Sequence, residues 1–115
     1  MTTTIYHNPR CSKSRQTLQL LNDNNIEPVI IEYLKSPPSA PVIDRILNLL
    51  NIEPRELMRK NEAPFQDYNL ANPALTRAEL IAAMVQYPIL IERPIVVTGN
   101  KAAIGRPPEN VLEII

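Results

Sequence analysis

Apolar positions change their spacing along this chain, and each change marks an element. Thr2 to Tyr6 is a short β-branched run closed by an aromatic, which predicts a strand. Thr17, Leu18, Leu21 and the adjacent Leu20 then recur at helical spacing, predicting a helix from about Ser12 to Asn22 that ends in the cluster Asp23-Asn24-Asn25. Val29 to Leu34 is a nearly continuous apolar run after Pro28, the pattern of a strand covered on both faces. Strand, helix and strand in that order imply a right-handed parallel crossover.

The next stretch is helical in pattern. Ser36-Pro37-Pro38-Ser39 stops one element and starts another, with Ser39 as N-cap of a helix carrying Ile43, Ile46, Leu47 and Leu50 on one face. Asn51-Ile52-Glu53-Pro54 opens a short helix over 55–58 that delivers Arg59 and Lys60. Thr76-Arg77-Ala78-Glu79 has the form of a capping box, placing a further helix from Arg77 to Gln86. Alternation returns late: Pro94 to Thr98 and Ala102 to Ile104 flank Gly99-Asn100-Lys101 as an antiparallel hairpin, and Pro107-Pro108-Glu109 opens a terminal helix through Val111 and Leu112. The order β-α-β, helical block, β-β-α defines an α/β fold.

Composition sharpens this picture. The 115 residues predict one domain, 1–115. Twelve prolines would suit a disordered chain, but with an apolar fraction of 44% they punctuate a folded one. A formal net charge of +0, one Phe and no Trp argue against a nucleic-acid partner, and the apolar runs are too short or too interrupted to span a membrane. One cysteine permits no internal disulfide, which fits a cytoplasmic location.

That cysteine, Cys11, lies in His7-Asn8-Pro9-Arg10-Cys11-Ser12-Lys13-Ser14-Arg15 with the only histidine and three cations, Arg10, Lys13 and Arg15, and no Asp or Glu precedes Asp23. At the first turn of a helix, unpaired backbone N–H groups and the positive end of the dipole favour an anion, so a reactive sulfur is expected in place of an inert buried one. Arg15, one turn along, is placed to share a ligand with that sulfur. His7 is either a base or orienting partner for the sulfur or only a cap to the strand.

The β-α-β and β-β-α halves with a helical insertion between them resemble a thioredoxin-like fold. Four ordered blocks narrow the likeness: Tyr6-His7-Asn8-Pro9 with His7-x3-Cys11-x3-Arg15, then Glu56 to Asn61, Glu92 to Val97, and Gly105-Arg106-Pro107-Pro108. Together they resemble the glutaredoxin-coupled arsenate reductase (ArsC-like) family, in particular a short subgroup without a C-terminal extension. Arg10, Ser12 and Lys13 stand where the family often has smaller neutral residues. The resemblance implies that Cys11 attacks arsenate, that Arg59, Arg93, Arg106 and Arg15 hold the oxyanion, and that His7 and a cis Pro94 support the site. It implies no bound cofactor and no metal, with glutathione and glutaredoxin as electron donors.

Three rivals use parts of the same pattern. A Cys-x5-Arg phosphatase loop fails because Thr17 stands in the arginine position, and a Cys-x-x-Cys oxidoreductase fails at Ser14. A one-cysteine glutathione-exchange enzyme and a non-catalytic Spx-like regulator share the fold, but neither calls for the downstream arginines.

Overall fold

A computed structural model describes residues 2–115. Two compact units divide them: the chain up to Ser36 joined by Arg93–Ile115, and the intervening Pro37–Glu92.

The first unit is a four-stranded mixed sheet with helical cover. Its strands are β1 (Thr3–His7), β2 (Val29–Glu32), β3 (Ile95–Thr98) and β4 (Lys101–Ile104), in the order β2-β1-β3-β4. β2 runs parallel to β1, while β3 runs antiparallel to both β1 and β4. Between β1 and β2 lies helix α1 (Ser12–Asp23), ended by Asn24 as C-cap and by Asn25 at φ 62°, a left-handed position that asparagine tolerates. The anticipated hairpin turns through Gly99 at φ 56°, in the first turn position, where glycine takes a left-handed conformation without steric cost. Ile5, Leu21, Val96 and Val111 form a fully buried cluster from β1, α1, β3 and the C-terminal segment. Each such side chain stabilises the fold by about 1.5–3 kcal/mol through its removal from water.

The apolar run at 29–34 departs from expectation. Its strand stops at Glu32 and is an edge, with Val29 52% and Ile30 48% exposed. A continuous apolar run signals burial only where both faces of the strand are covered, and Val29 and Ile30, on opposite faces of β2, both lack that cover. The terminal segment Pro108–Glu113 is a 3-10 helix opened by proline, with Val111 as its buried anchor.

The second unit is helical apart from an isolated antiparallel bridge between Met58 and Ile91. α2 (Ala40–Leu50) buries Ile43, Ile46 and Leu47, follows Ser39, and ends at Asn51 with φ 55°. A 3-10 helix, Pro54–Leu57, replaces the expected α-helix at 55–58; Glu53 and Glu56 close a reciprocal box around it. Two elements were not anticipated: α3 (Ala63–Asp67), which buries nothing and so leaves no apolar stripe, and a three-residue 3-10 helix, Pro88–Leu90. α4 (Arg77–Gln86) begins with the capping box of Thr76 and Glu79 and buries Leu80, Ile81 and Met84. Arg77 Nε donates to Asp44 Oδ1 at 2.9 Å, tying α4 to α2.

Candidate active site

Cys11 stands at the junction of strand and helix. It is the N-cap residue of α1 with an extended backbone, and its own N–H is satisfied by Asn8 O at 3.0 Å. Asn8 Oδ1 accepts the N–H of Arg10 at 3.0 Å, an Asx turn that tightens the loop. One turn into α1, Ser14 Oγ accepts the N–H of Asn8 at 3.0 Å and lies 2.6 Å from His7 Nδ1. Ser14 and Thr17 are completely buried, Cys11 is 8% exposed and His7 6%. The loop is therefore stapled to the first turns of the helix from inside.

Burial is the largest influence on His7 and lowers its pKa; Glu32, its neighbour in the β1–β2 register, opposes this, and Arg15 adds to it. A neutral His7 protonated at Nε2 accepts the Ser14 hydroxyl at Nδ1. His7 is thus tied at the strand end to the first turn of α1 through Ser14. A cleft of about 270 Å³ borders it, lined by residues 7–10 with Glu32, Leu34 and Lys35, so that cleft neighbours the imidazole and not the sulfur.

The hairpin supplies the other wall. Arg106 Nη2 donates to Cys11 Sγ at 3.5 Å, and its Nε donates to the carbonyl of Arg93 at 2.7 Å. The Arg93–Pro94 peptide is cis, and Pro94 O accepts the N–H of Gly105 at 2.9 Å. Gly105 has to be glycine: a Cβ there would collide with Thr17 Oγ1 and stand 2.8 Å from Pro94 Cγ. Helix α1, the cis proline and the start of the Arg106 segment therefore meet at one backbone position. Asn110 Nδ2 closes the segment on its far side by donating to Arg106 O at 3.0 Å.

The structure thus brings Cys11, Arg106, Arg93 and Pro94 into one linked set, with His7 joined through Ser14. Arg15 is exposed and its Nη1 donates to Pro9 O at 3.0 Å, bracing the loop. Arg59 belongs to the helical unit, where Nη1 pairs with Glu62 at 2.7 Å and Nε lies 3.8 Å from Glu92. No group of His, Cys, Asp and Glu suited to a metal occurs among the described residues. Sequence reasoning gave Ser14 and Gly105 no role in building the site. The spacing 14, 17, 21 on the buried face of α1 carries a signal for Ser14; for Gly105 the signal was its place in the Gly105-Arg106-Pro107-Pro108 block.

Chemically, the set offers a sulfur nucleophile with a guanidinium already aimed at it, in a loop that supplies no carboxylate. Charge-assisted donors of this kind suit the oxygens of a tetrahedral anion.

Comparisons with known proteins agree with this chemistry. The profile of the ArsC family matches residues 6–114. The chain is 47% identical over its whole length, and over the whole of the relative, to a protein of Haemophilus influenzae named arsenate reductase. It is 53% identical to the Escherichia coli protein YfgD, named uncharacterized, over 96% of this chain and 94% of that one. A solved structure named arsenate reductase from Vibrio cholerae superposes with a TM-score of 0.96 at 47% identity, covering 100% of this chain and 98% of that one.

Proposed function

The chain belongs to the ArsC family, and from that premise we propose that it reduces arsenate to arsenite at Cys11 with electrons from glutathione and glutaredoxin. It is an arsenate reductase built as one working domain of the cytoplasm. The observation that carries the reading is the Arg106 guanidinium donating to Cys11 Sγ at 3.5 Å from an anchor on the Arg93 carbonyl. A cation held there lies where negative charge passes from sulfur to arsenate oxygen.

In this mechanism the Cys11 thiolate attacks arsenic, an As–S bond forms, and an arsenate oxygen leaves as water after protonation. Glutathione reduces the adduct, and glutaredoxin resolves the resulting mixed disulfide. Two thiols together give up two electrons and end as a disulfide, arsenic passes from the +5 to the +3 state, and arsenite departs. An outside thiol is required because the chain has one cysteine. Arg106 and Arg93 hold the oxyanion beside Cys11, Arg59 adds a third guanidinium, and Arg15 keeps the loop and its charge in place. His7 orients the loop through Ser14, and Pro94 sets the backbone that carries Arg93. Each donor aimed in advance at developing charge avoids reorganisation during the reaction, which is where electrostatic catalysis gains most.

Arsenate-dependent NADPH oxidation, with glutathione, glutathione reductase and glutaredoxin present, tests the reading. The wild-type chain is expected to turn over and Cys11→Ser to fall to background. Cys11-dependent exchange of glutathione mixed disulfides without consumption of arsenate would replace this reading with the one-cysteine exchange enzyme.

A further inference from the structure

Arg59 is an arginine whose charge is already spent. Its backbone N–H is fixed on Leu90 O at 2.6 Å, beside an antiparallel bridge from Met58 to Ile91, and the N–H of Glu92 returns to Leu57 O at 2.8 Å. That short ladder holds Glu92 next to Arg59, with Oε1 3.8 Å from Nε. On the other side, Glu62 Oε2 takes Nη1 at 2.7 Å. The side chains are all about a quarter exposed, so water screens the group only in part.

Glu62 is placed unusually for this. It is the N-cap residue of α3, yet its carboxylate makes no bond to the N–H groups of that helix and turns back three residues to the guanidinium. At the preceding 3-10 helix the carboxylate bond stays local: the N–H of Glu53 donates to Glu56 Oε1 at 3.0 Å.

An oxyanion recognised by an arginine fork needs two adjacent N–H groups: the Nη1/Nη2 edge or the Nε/Nη2 edge. Glu62 already holds one atom of the first edge at hydrogen-bond distance. Glu92 stands beside the second at a distance beyond a hydrogen bond, so Glu62 is the tighter competitor. The Glu62 carboxylate at 2.7 Å also opposes approach of a dianion to this guanidinium.

We propose that Glu62 is a competing counter-ion that sets oxyanion affinity: it occupies Arg59 in the resting protein and must yield its Nη1 for an arsenate-like dianion to bind. The inference rests on the arsenate reductase reading for the place of Arg59 in the oxyanion site. Glu62 acts only through Arg59, so it is a positioning residue and its removal tightens binding.

Calorimetric titration of arsenate into the Cys11→Ser protein reads binding without turnover. Glu62→Gln is expected to tighten binding by about two- to fivefold, the range of a partly exposed ion pair. Arg59→Ala weakens it, and Arg59→Ala combined with Glu62→Gln matches Arg59→Ala alone. Glu62→Asp, which keeps the charge, returns the affinity toward the parent. An unchanged or weaker affinity in Glu62→Gln, or tightening that persists without Arg59, overturns the proposal, as does absence of arsenate binding in every variant. Failure here with arsenate turnover intact removes the counter-ion role alone. The expected binding pattern in a protein that never turns arsenate over removes the reductase reading and leaves the counter-ion in place.

Discussion

In the loop from His7 to Arg15 and the segment facing it, cations meet carbonyls and a sulfur; around Arg59 they meet carboxylates. Arg106 donates to the Arg93 carbonyl and to Cys11 Sγ, and Arg15 donates to the Pro9 carbonyl. A carbonyl partner aims a guanidinium without itself cancelling the charge. Arg59, on Glu62 and Glu92, is aimed just as firmly but neutralised. Preorganisation and compensation are separate properties of a binding cation, and only the first is free of a cost at the moment of binding.

The largest effect expected from this contrast is on catalysis. Arg106→Ala removes a donor already aimed at the reacting sulfur and should lower kcat/KM for arsenate about 100-fold, as loss of one preorganised donor does elsewhere. Arg59→Ala removes a cation together with the need to displace Glu62, so its loss should be about tenfold or less, the two contributions partly cancelling. Steady-state rates of both variants decide the matter. Equal losses would mean that the carboxylates around Arg59 do not compensate it.

How far the site could be read from sequence follows the same division. That Cys11 stands at the start of a helix, with His7 at the end of the preceding strand and Arg15 one turn on, was legible because the pattern is local: a strand, a tight loop and a helix start within a few residues of one another. The parallel β-α-β opening, the hairpin around Gly99 and the capping box at Thr76 were legible for the same reason. Glu62 was not, because nothing in its spacing separates a carboxylate that caps α3 from one that turns back to Arg59. Nor was the exposed edge strand at 29–32: an apolar run does not say whether both faces of the strand are covered. The contact between Arg106 and Cys11 spans 95 residues of sequence, and only the family likeness pointed to it.

Gly105→Ala sharpens the contrast from the structural side. The added Cβ collides with Thr17 Oγ1 and crowds Pro94 Cγ, and Thr17 is fully buried with its hydroxyl on Lys13 O at 2.8 Å, so it cannot swing clear. Overpacking at such a point costs about 1–3 kcal/mol. The midpoint of denaturant unfolding should fall accordingly, and arsenate turnover should fall beyond it because the Arg106 segment starts at this residue. A variant of wild-type stability would show that the three elements are not locked together here.

The smallest effect concerns pH, and it isolates His7 from the arginines. Burial lowers the folded-state pKa of His7 below its ordinary value of 6.5, with Glu32 opposing and Arg15 assisting. The unfolded chain therefore binds a proton more readily than the folded one, and stability rises with pH wherever that difference exists. The contribution is fully present above pH 6.5 and is lost as pH falls through the ordinary value toward the lowered one. His7→Gln keeps a polar side chain near Ser14 but cannot titrate, so it should be less stable than the wild type at neutral pH, with the gap narrowing on acidification toward pH 5 as the wild type alone loses the histidine contribution. Urea unfolding of both proteins at matched pH values measures the difference directly, since every other titrating group is common to the pair. If the gap stays constant across the range, His7 protonates as easily in the folded chain as in the unfolded one, and its tie to the Ser14 hydroxyl as a neutral imidazole falls.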